Sequence, residues 1–499
     1  MNVPGKSDGP IVPMSPANNG AAEASAESAE GRGPARRNTD QSNLGRTQNR
    51  NHRRSSGLPG VRETARKSRK LKFTALLHHV NVEQLTSSFY QLKKKAAVGI
   101  DQVTWHEYEQ GLEDRIVDLH GRIHRGAFRA KPSKRVYIEK TDGRKRPLGI
   151  PSIEDKIVQH AVRTVLQCIY EEDFIGFSYG FRPQRSQHQA LDAMYVAITE
   201  KRVNWILDAD IEGFFDNIDR DWLIKFIEHR VGDKRIVRLI QKWLQAGIIE
   251  ETDWSDNGKG TPQGAVLSPL LANVFLHYVF DLWIKQWRKR HAKGDCFVIR
   301  YADDFVIGFE HEADARACLE SLAERLRKFG LNLHPKKTRL LEFGRGSAAK
   351  RKREGRGTCE TFDFLGFTHV CGKTRRGKRF ALKRITMASR MRRTLAVIKE
   401  QLERRRHDPP GQTGRWLASV IRGWQGYHGV PDNFDRLEQF AKAIAKLWRR
   451  QLQRRSQRGK SRWPWSRMAR LVRKHLPRPR LTHPRPNVRH HARLRAGAV

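Results

Sequence analysis

The sequence predicts an α+β fold on three observations: strand-like and helical segments are mixed along the chain, acids stand at strand edges, and a two-acid tip interrupts two apolar runs. Periodic sequence begins near Lys70, where Leu77, Val80, Val82, Leu85, Phe89 and Leu92 recur at helical spacings. Val136-Tyr137-Ile138, Thr141-Asp142-Gly143 and Leu148-Gly149-Ile150 then predict a hairpin with a polar tip, and helical sequence resumes at Ile153. A strand from Val203 to Ile211 puts Asp208 and Asp210 on one face, with Asp208 read as a solvated strand-end acid. Ser268-Pro269 marks a helix start, Ser as cap and Pro in the first turn, ahead of an apolar stripe through Leu270, Val274 and Val279. Phe297 to Ile299 and Phe305 to Phe309 are the arms of a second hairpin, with Tyr301 to Asp304 at its tip. From about Ala381 the sequence reads as helical and basic, with a loop at Pro409-Pro410-Gly411 between two helices.

The chain has 499 residues with 97 Lys and Arg against 53 acids, a formal net charge of +44. A polyanion is the expected partner, and nucleic acid is favoured over an anionic membrane because no apolar run is long enough to span one. The charge is lopsided: Thr374 to Val499 holds 35 Lys and Arg against 6 acids, making that segment the candidate phosphate-tracking surface. Five cysteines without any C-x-x-C pair argue against a disulfide framework or a zinc-binding nuclease appendage and fit a reduced cytoplasm. No signal peptide is recognised. Residues 1 to about 68, rich in Gly, Ser, Asn, Pro, Arg and Ala, read as disordered.

Two unpaired carboxylates cannot be buried without a large desolvation cost, so Asp303 and Asp304 must meet water, a cation or a metal. Magnesium is the apt metal, because hard oxygens and substrate phosphates complete its octahedron. An ordinary Asp-Asp turn is the plain alternative.

Several separate segments point one way. Gly99-Ile100-Asp101 with Thr104, Arg146-Pro147-Leu148-Gly149-Ile150-Pro151, and Ser178-Tyr179-Gly180-Phe181-Arg182-Pro183 come first. Asp210-Ile211-Glu212-Gly213-Phe214-Phe215-Asp216, Gly260-Thr261-Pro262-Gln263-Gly264 and Tyr301-Ala302-Asp303-Asp304 follow, then Leu331 to Thr338 and Phe364-Leu365-Gly366. In order and spacing, over roughly residues 70 to 370, this set resembles the reverse transcriptases encoded by bacterial group II introns, the intron maturases.

The resemblance implies a right-hand polymerase fold, fingers and palm, with a helical thumb or maturase domain. It divides the chain into a disordered basic segment (1–68), reverse transcriptase fingers and palm (69–375), a basic thumb/maturase domain (376–460) and a basic DNA-binding-like extension (461–499). Asp210, Asp303 and Asp304, with the carbonyl of Ile211, are then the ligands of two magnesium ions that stabilise attacking and leaving oxygens. Lys140 and Arg146 match fingers residues that grip the triphosphate. Phe215 matches the aromatic that crowds a ribose 2′-hydroxyl, or is plain core. Gln263 and Tyr301 are counted with the nucleotide contacts, and Gly264 and Arg182 with the nucleic-acid contacts. Lys337 matches a lysine that either donates a proton to pyrophosphate or simply contacts phosphate. Trp424 and Tyr427 share one helix face and serve either core packing or base stacking. Trp463-Pro464-Trp465 and His483-Pro484 resemble the DNA-binding extension.

The implied function is RNA-directed DNA polymerisation by an intron-encoded protein that also binds its intron RNA to assist splicing and supports mobility by target-primed reverse transcription. Intron RNA, target and primer DNA and deoxynucleotides are the expected partners, with no membrane. A splicing-only maturase with a relic site, a retron or diversity-generating reverse transcriptase, and a metal-dependent nuclease are the rival readings.

Overall fold

The computed structural model describes residues 57–139, 145–250, 253–255, 260, 264–374 and 379–495. Its strands are β1 (Ser133–Glu139), β2 (Lys145–Ile150), β3 (Trp205–Ala209), β4 (Ile248–Glu250), β5 (Asp253–Ser255), β6 (Cys296–Tyr301), β7 (Asp304–Phe309), β8 (Arg339–Glu342), β9 (Phe362–Phe364), β10 (Phe367–Lys373) and β11 (Phe380–Thr386). They form three sheets, in the orders β2-β1-β4-β5, β6-β7-β3-β8 and β11-β10-β9. The chain divides into two compact units, one of Val61–Met387 with the described part of Pro484–Val499, the other containing Ala388–His483.

The sheet β6-β7-β3-β8 is antiparallel throughout and organises the first unit. Helix α1 (Ile153–Asp173) begins at Ser152, whose hydroxyl accepts the amide of Asp155; α2 (Gln187–Glu200) packs on β6. Helix α3 (Ser268–Leu276) has Pro269 in its first turn, and α4 (Glu312–Arg327) packs on β3 and β7. Leu267 takes the cap position of α3, so Ser268 is its first helical residue rather than its cap. Every residue of β7 is buried, which is why its sequence runs apolar without alternation. Full burial of a side chain such as Phe305 contributes about 2 kcal/mol.

Both expected hairpins are present. In the first, Ile138 pairs with Arg146, and the tip expected at Thr141 to Gly143 lies outside the described residues. In the second, Tyr301 pairs with Asp304 across a two-residue turn.

Ala381 is in β11, not a helix: Phe380–Thr386 pairs with the whole of β10, and strand pairing overrides the helical propensity of Ala, Leu, Lys and Arg. The division between units falls at 387/388, because a cut at 375/376 would sever the β10–β11 hairpin. That hairpin region also brings together Cys359 and Cys371, and the neighbouring Cys371 thiol pulls the Cys359 thiol below its ordinary value.

The second unit is helical: α5 (Ala388–Arg404), α6 (Pro410–His428), α7 (Phe434–Gln453) and α8 (Trp465–His475). Pro410 opens α6 rather than sitting in a loop, as its fixed φ allows at a first helical position. Ile398, Leu417, Ile421, Trp424, Ile444 and Trp448 are central to its core, which also takes in Trp463, Met468 and Leu476. The start of the expected DNA-binding extension is therefore packed protein. Its last helix, α9 (Pro486–Arg495), lies on α2 in the first unit, where Arg489 and Arg384 both pair with the buried carboxylate of Asp192. None of the described helices is long and apolar enough to cross a membrane.

Candidate active site

Asp210 directly follows β3, whose last paired residue, Ala209, stands opposite Phe305. Asp304 directly precedes Phe305. Antiparallel pairing therefore carries Asp210 to the same sheet end as the Asp303-Asp304 tip, where directly opposed residues lie about 5 Å apart. Asp210 and Asp304 are buried, at 6% and 4% exposure, and Asp303 is half-buried.

A third segment closes the site. Ile211 bridges Leu333, the amide of His334 donates to the Asp210 carbonyl at 2.8 Å, and the amide of Glu212 donates to Asn332 at 2.9 Å. This ladder leaves the Ile211 carbonyl outside its pairing and positions Lys337, whose Nζ donates to Asp210 Oδ2 at 2.8 Å. Lys337 is thus the ion-pair partner of Asp210.

The tip rests on a buried cation that the sequence reading passed over. Arg300 is fully buried and all five of its N–H groups are used. Nε and Nη2 hold both oxygens of Asp281 at 2.7 and 2.6 Å, Nη1 donates to Asn273 Oδ1 and the Ala302 carbonyl at 2.9 Å each, and Nη2 also donates to Ser178 Oγ at 2.7 Å. Asp281 reaches it from a π-turn, His277–Asp281, that continues α3. The available signal was an Arg inside an apolar strand, which requires a buried carboxylate partner. Burial draws the neighbouring His277 imidazole down to about 4.

Ala302 takes a φ of +57°, a conformation that favours glycine. Gly180 fits against it: a Cβ there would overlap the Ala302 amide nitrogen. Tyr301 is half-buried, its phenol pushed up by burial and hydrogen-bonded with Gln187.

Several expectations change. Asp208 is buried, not solvated, with its carboxylate 3.5 Å from the Arg339 guanidinium on the neighbouring strand. Arg182 is no nucleic-acid contact: it is buried, donating to Glu171 at 3.0 Å and to the carbonyls of Ile175 and Ser178 at 2.9 Å each. Trp424 is core, 1% exposed and stacked on Phe440 with ring centroids 4.1 Å apart. Tyr427 is half-buried under the Arg390 guanidinium, 5.1 Å from its ring centre. Gly264 has φ +110°, and its close approach is to the Gly149 carbonyl of β2, which a Cβ would meet at 2.7 Å. Phe214 is core against Phe275, whereas Phe215 is half-buried beside Gly260, which is tied down by its amide donating to Ile218 at 2.8 Å. Arg146 lies in β2; Lys140 and Gln263 lie outside the described residues.

Among the described residues no three His, Cys, Asp or Glu side chains stand gathered as a ready cage for an ion. Lys337 already neutralises Asp210. The donor set nevertheless suits a hard divalent cation, since it offers carboxylate oxygens at one sheet end with little water to solvate them.

Residues 138–369 match the family described as reverse transcriptase (RNA-dependent DNA polymerase), and the chain carries such a domain. Polymerases of this kind generally use divalent metal ions. The chain is 43% identical over 166 residues to group II intron-encoded protein LtrA of Lactococcus lactis subsp. cremoris, covering 33% of this chain and 27% of that protein. It is 32% identical over 238 residues to protein YkfC of Escherichia coli K12, covering 42% of this chain and 62% of YkfC. It is 28% identical over 180 residues to nuclear intron maturase 3, mitochondrial, of Arabidopsis thaliana, covering 32% of this chain and 25% of that protein. The domain is thus a reverse transcriptase related to LtrA and other intron maturases, and the matches span less than two thirds of each relative.

Proposed function

We propose that the chain is an RNA-directed DNA polymerase encoded by a group II intron, which also binds the intron RNA to assist splicing and supports mobility by target-primed reverse transcription. The observation that carries this reading is the register that delivers Asp210 to the Asp303-Asp304 tip, with Lys337 bonded to Asp210. Asp210, Asp303, Asp304 and the Ile211 carbonyl would hold two magnesium ions, which when bound lower the cost of charge on the attacking and leaving oxygens. Lys337, bonded to Asp210, would hold charge or a proton beside the departing pyrophosphate. Lys140, Arg146, Gln263 and Tyr301 would grip and orient the nucleotide, and Phe215 would crowd a 2′-hydroxyl and favour deoxynucleotides. The basic helical unit of α5 to α8 supplies the thumb and the grip on intron RNA.

Primer extension and splicing of the cognate intron test this directly. Asp303→Ala should abolish extension on an RNA template, by at least about a thousandfold, and leave splicing assistance nearly intact. Loss of both together would defeat the separation of roles, and extension by the variant at the wild-type rate would defeat the assigned centre.

A further inference from the structure

The segment that carries Arg182 also holds an aromatic side chain that the fold leaves half exposed. Phe181 is 49% exposed and has φ +59°, in the left-handed region where a bulky residue is an outlier. A single exposed aromatic is ordinary, and so is an occasional positive φ. Here one residue bears both costs, and Asn or Gly at the position would remove both.

Its surroundings hold it still. On one side Arg182 is anchored to Glu171 and two carbonyls. On the other, the Gly180 carbonyl accepts Asn273 Nδ2 at 2.7 Å and the Tyr179 amide donates to the Arg300 carbonyl at 2.8 Å. The Arg300 amide in turn donates to the Phe177 carbonyl at 2.9 Å. Ser178 bridges Arg300, so the segment is sewn onto the end of β6 just before the acidic tip. A Cβ on Gly180 would lie 3.0 Å from the Ala302 Cα. With about 1.5 Å for the added bond and about 3.8 Å between consecutive Cα atoms, the Phe181 Cα lies within about 8 Å of the Ala302 Cα. A Phe ring there is within reach of whatever occupies the acidic centre.

We propose that Phe181 is a stacking contact to the primer–template duplex at the primer end, held in a strained backbone so that its ring face stays presented. The proposal rests on the polymerase reading and deepens it, moving the nucleic-acid contact from Arg182 to its neighbour. A base or sugar is the occupant that an apolar ring fits beside an acidic centre, since π-faces recognise bases irrespective of sequence, whereas a triphosphate calls for cations.

The test is duplex affinity of the full-length chain, measured by fluorescence anisotropy on a labelled DNA-primed RNA template without deoxynucleotides. Phe181→Ala and Phe181→Gly should each weaken binding about 5- to 150-fold, and Phe181→Tyr should retain it. The Gly variant relieves the positive φ, and an unchanged thermal midpoint in that variant isolates the loss of the ring from any loss of folding. Wild-type affinity in the Gly variant, or restoration by Phe181→Leu as complete as by Tyr, would overturn the proposal. So would a raised KM for deoxynucleotide at unchanged duplex affinity. A parent chain that binds duplex yet extends no primer would instead sink the polymerase reading and leave this contact standing.

Discussion

Lys337 Nζ lies 2.8 Å from Oδ2 of Asp210 although 127 residues separate them in sequence. The pair forms because the ladder between Ile211 and Leu333 delivers the segment after α4 to the end of β3. Removing the ammonium by Lys337→Met should slow single-turnover nucleotide addition about a hundredfold, while equilibrium binding of manganese tightens as a competing cation is lost. An unchanged rate would show that the pair is only structural.

Arg300 and Asp281 bind each other where neither can meet water, at 0% side-chain exposure each. Arg300→Met should therefore cost about 3–5 kcal/mol in denaturant unfolding, and Arg300→Lys should also destabilise, since three donors replace five. The double variant Arg300→Met with Asp281→Leu should be less destabilised than either single variant, because it leaves no buried charge unpaired.

The turn at Ala302 makes a paired prediction. Ala302→Gly should stabilise the first unit by about 1 kcal/mol through its φ of +57°, and Ala302→Val should destabilise it. Gly180→Ala should damage both folding and activity, because its methyl would displace the Ala302 amide from the acidic tip. Thermal midpoints and extension rates check all three.

Two buried histidines set an acid limit on stability. Burial holds His277 down to about 4 and His369 to about 3, against an ordinary value of 6.5. The folded state keeps them neutral while the unfolded chain protonates below about 6.5, so stability rises with pH across that window and is lost as pH falls toward 4. By pH 4 each histidine contributes about 3 kcal/mol at most to this loss, and the His369 contribution continues to grow toward pH 3. His369→Phe, which can keep the stack on Phe362, should flatten the dependence between pH 4 and 6.5. An equally steep dependence in the variant would assign the effect elsewhere.

Trp424→Ala should reduce the stability of the helical unit by about 3–5 kcal/mol, since the ring is buried against Phe440. Loss of intron-RNA affinity at unchanged stability would instead restore a contact role.

The segments of the proposed centre were legible in the sequence because turn chemistry and strand alternation are local: Tyr301 to Asp304 announces its hairpin, and Asp208 with Asp210 a strand face. Partner choice was not legible. Arg182 was counted as a nucleic-acid contact because a lone Arg carries no sign of the Glu171 carboxylate and the carbonyls that claim it. Asp208 looked solvated because Arg339 lies on a strand far along the chain. Ala381 to Thr386 read as helix because its residues favour helices, and only the facing strand β10 decides otherwise. Arg300 was legible in principle, as a charge within an apolar strand, yet of the four residues that take its five hydrogen bonds only Ala302 is near it in sequence.

The most direct measurement is anomalous diffraction from crystals of the chain soaked in manganese with a primer–template and a non-hydrolysable deoxynucleotide. A polymerase centre predicts manganese peaks liganded jointly by Asp210 and Asp303, with the Lys337 ammonium moved off the Asp210 carboxylate. Peaks that touch the Asp303-Asp304 tip without Asp210, or none at that sheet end, would contradict it.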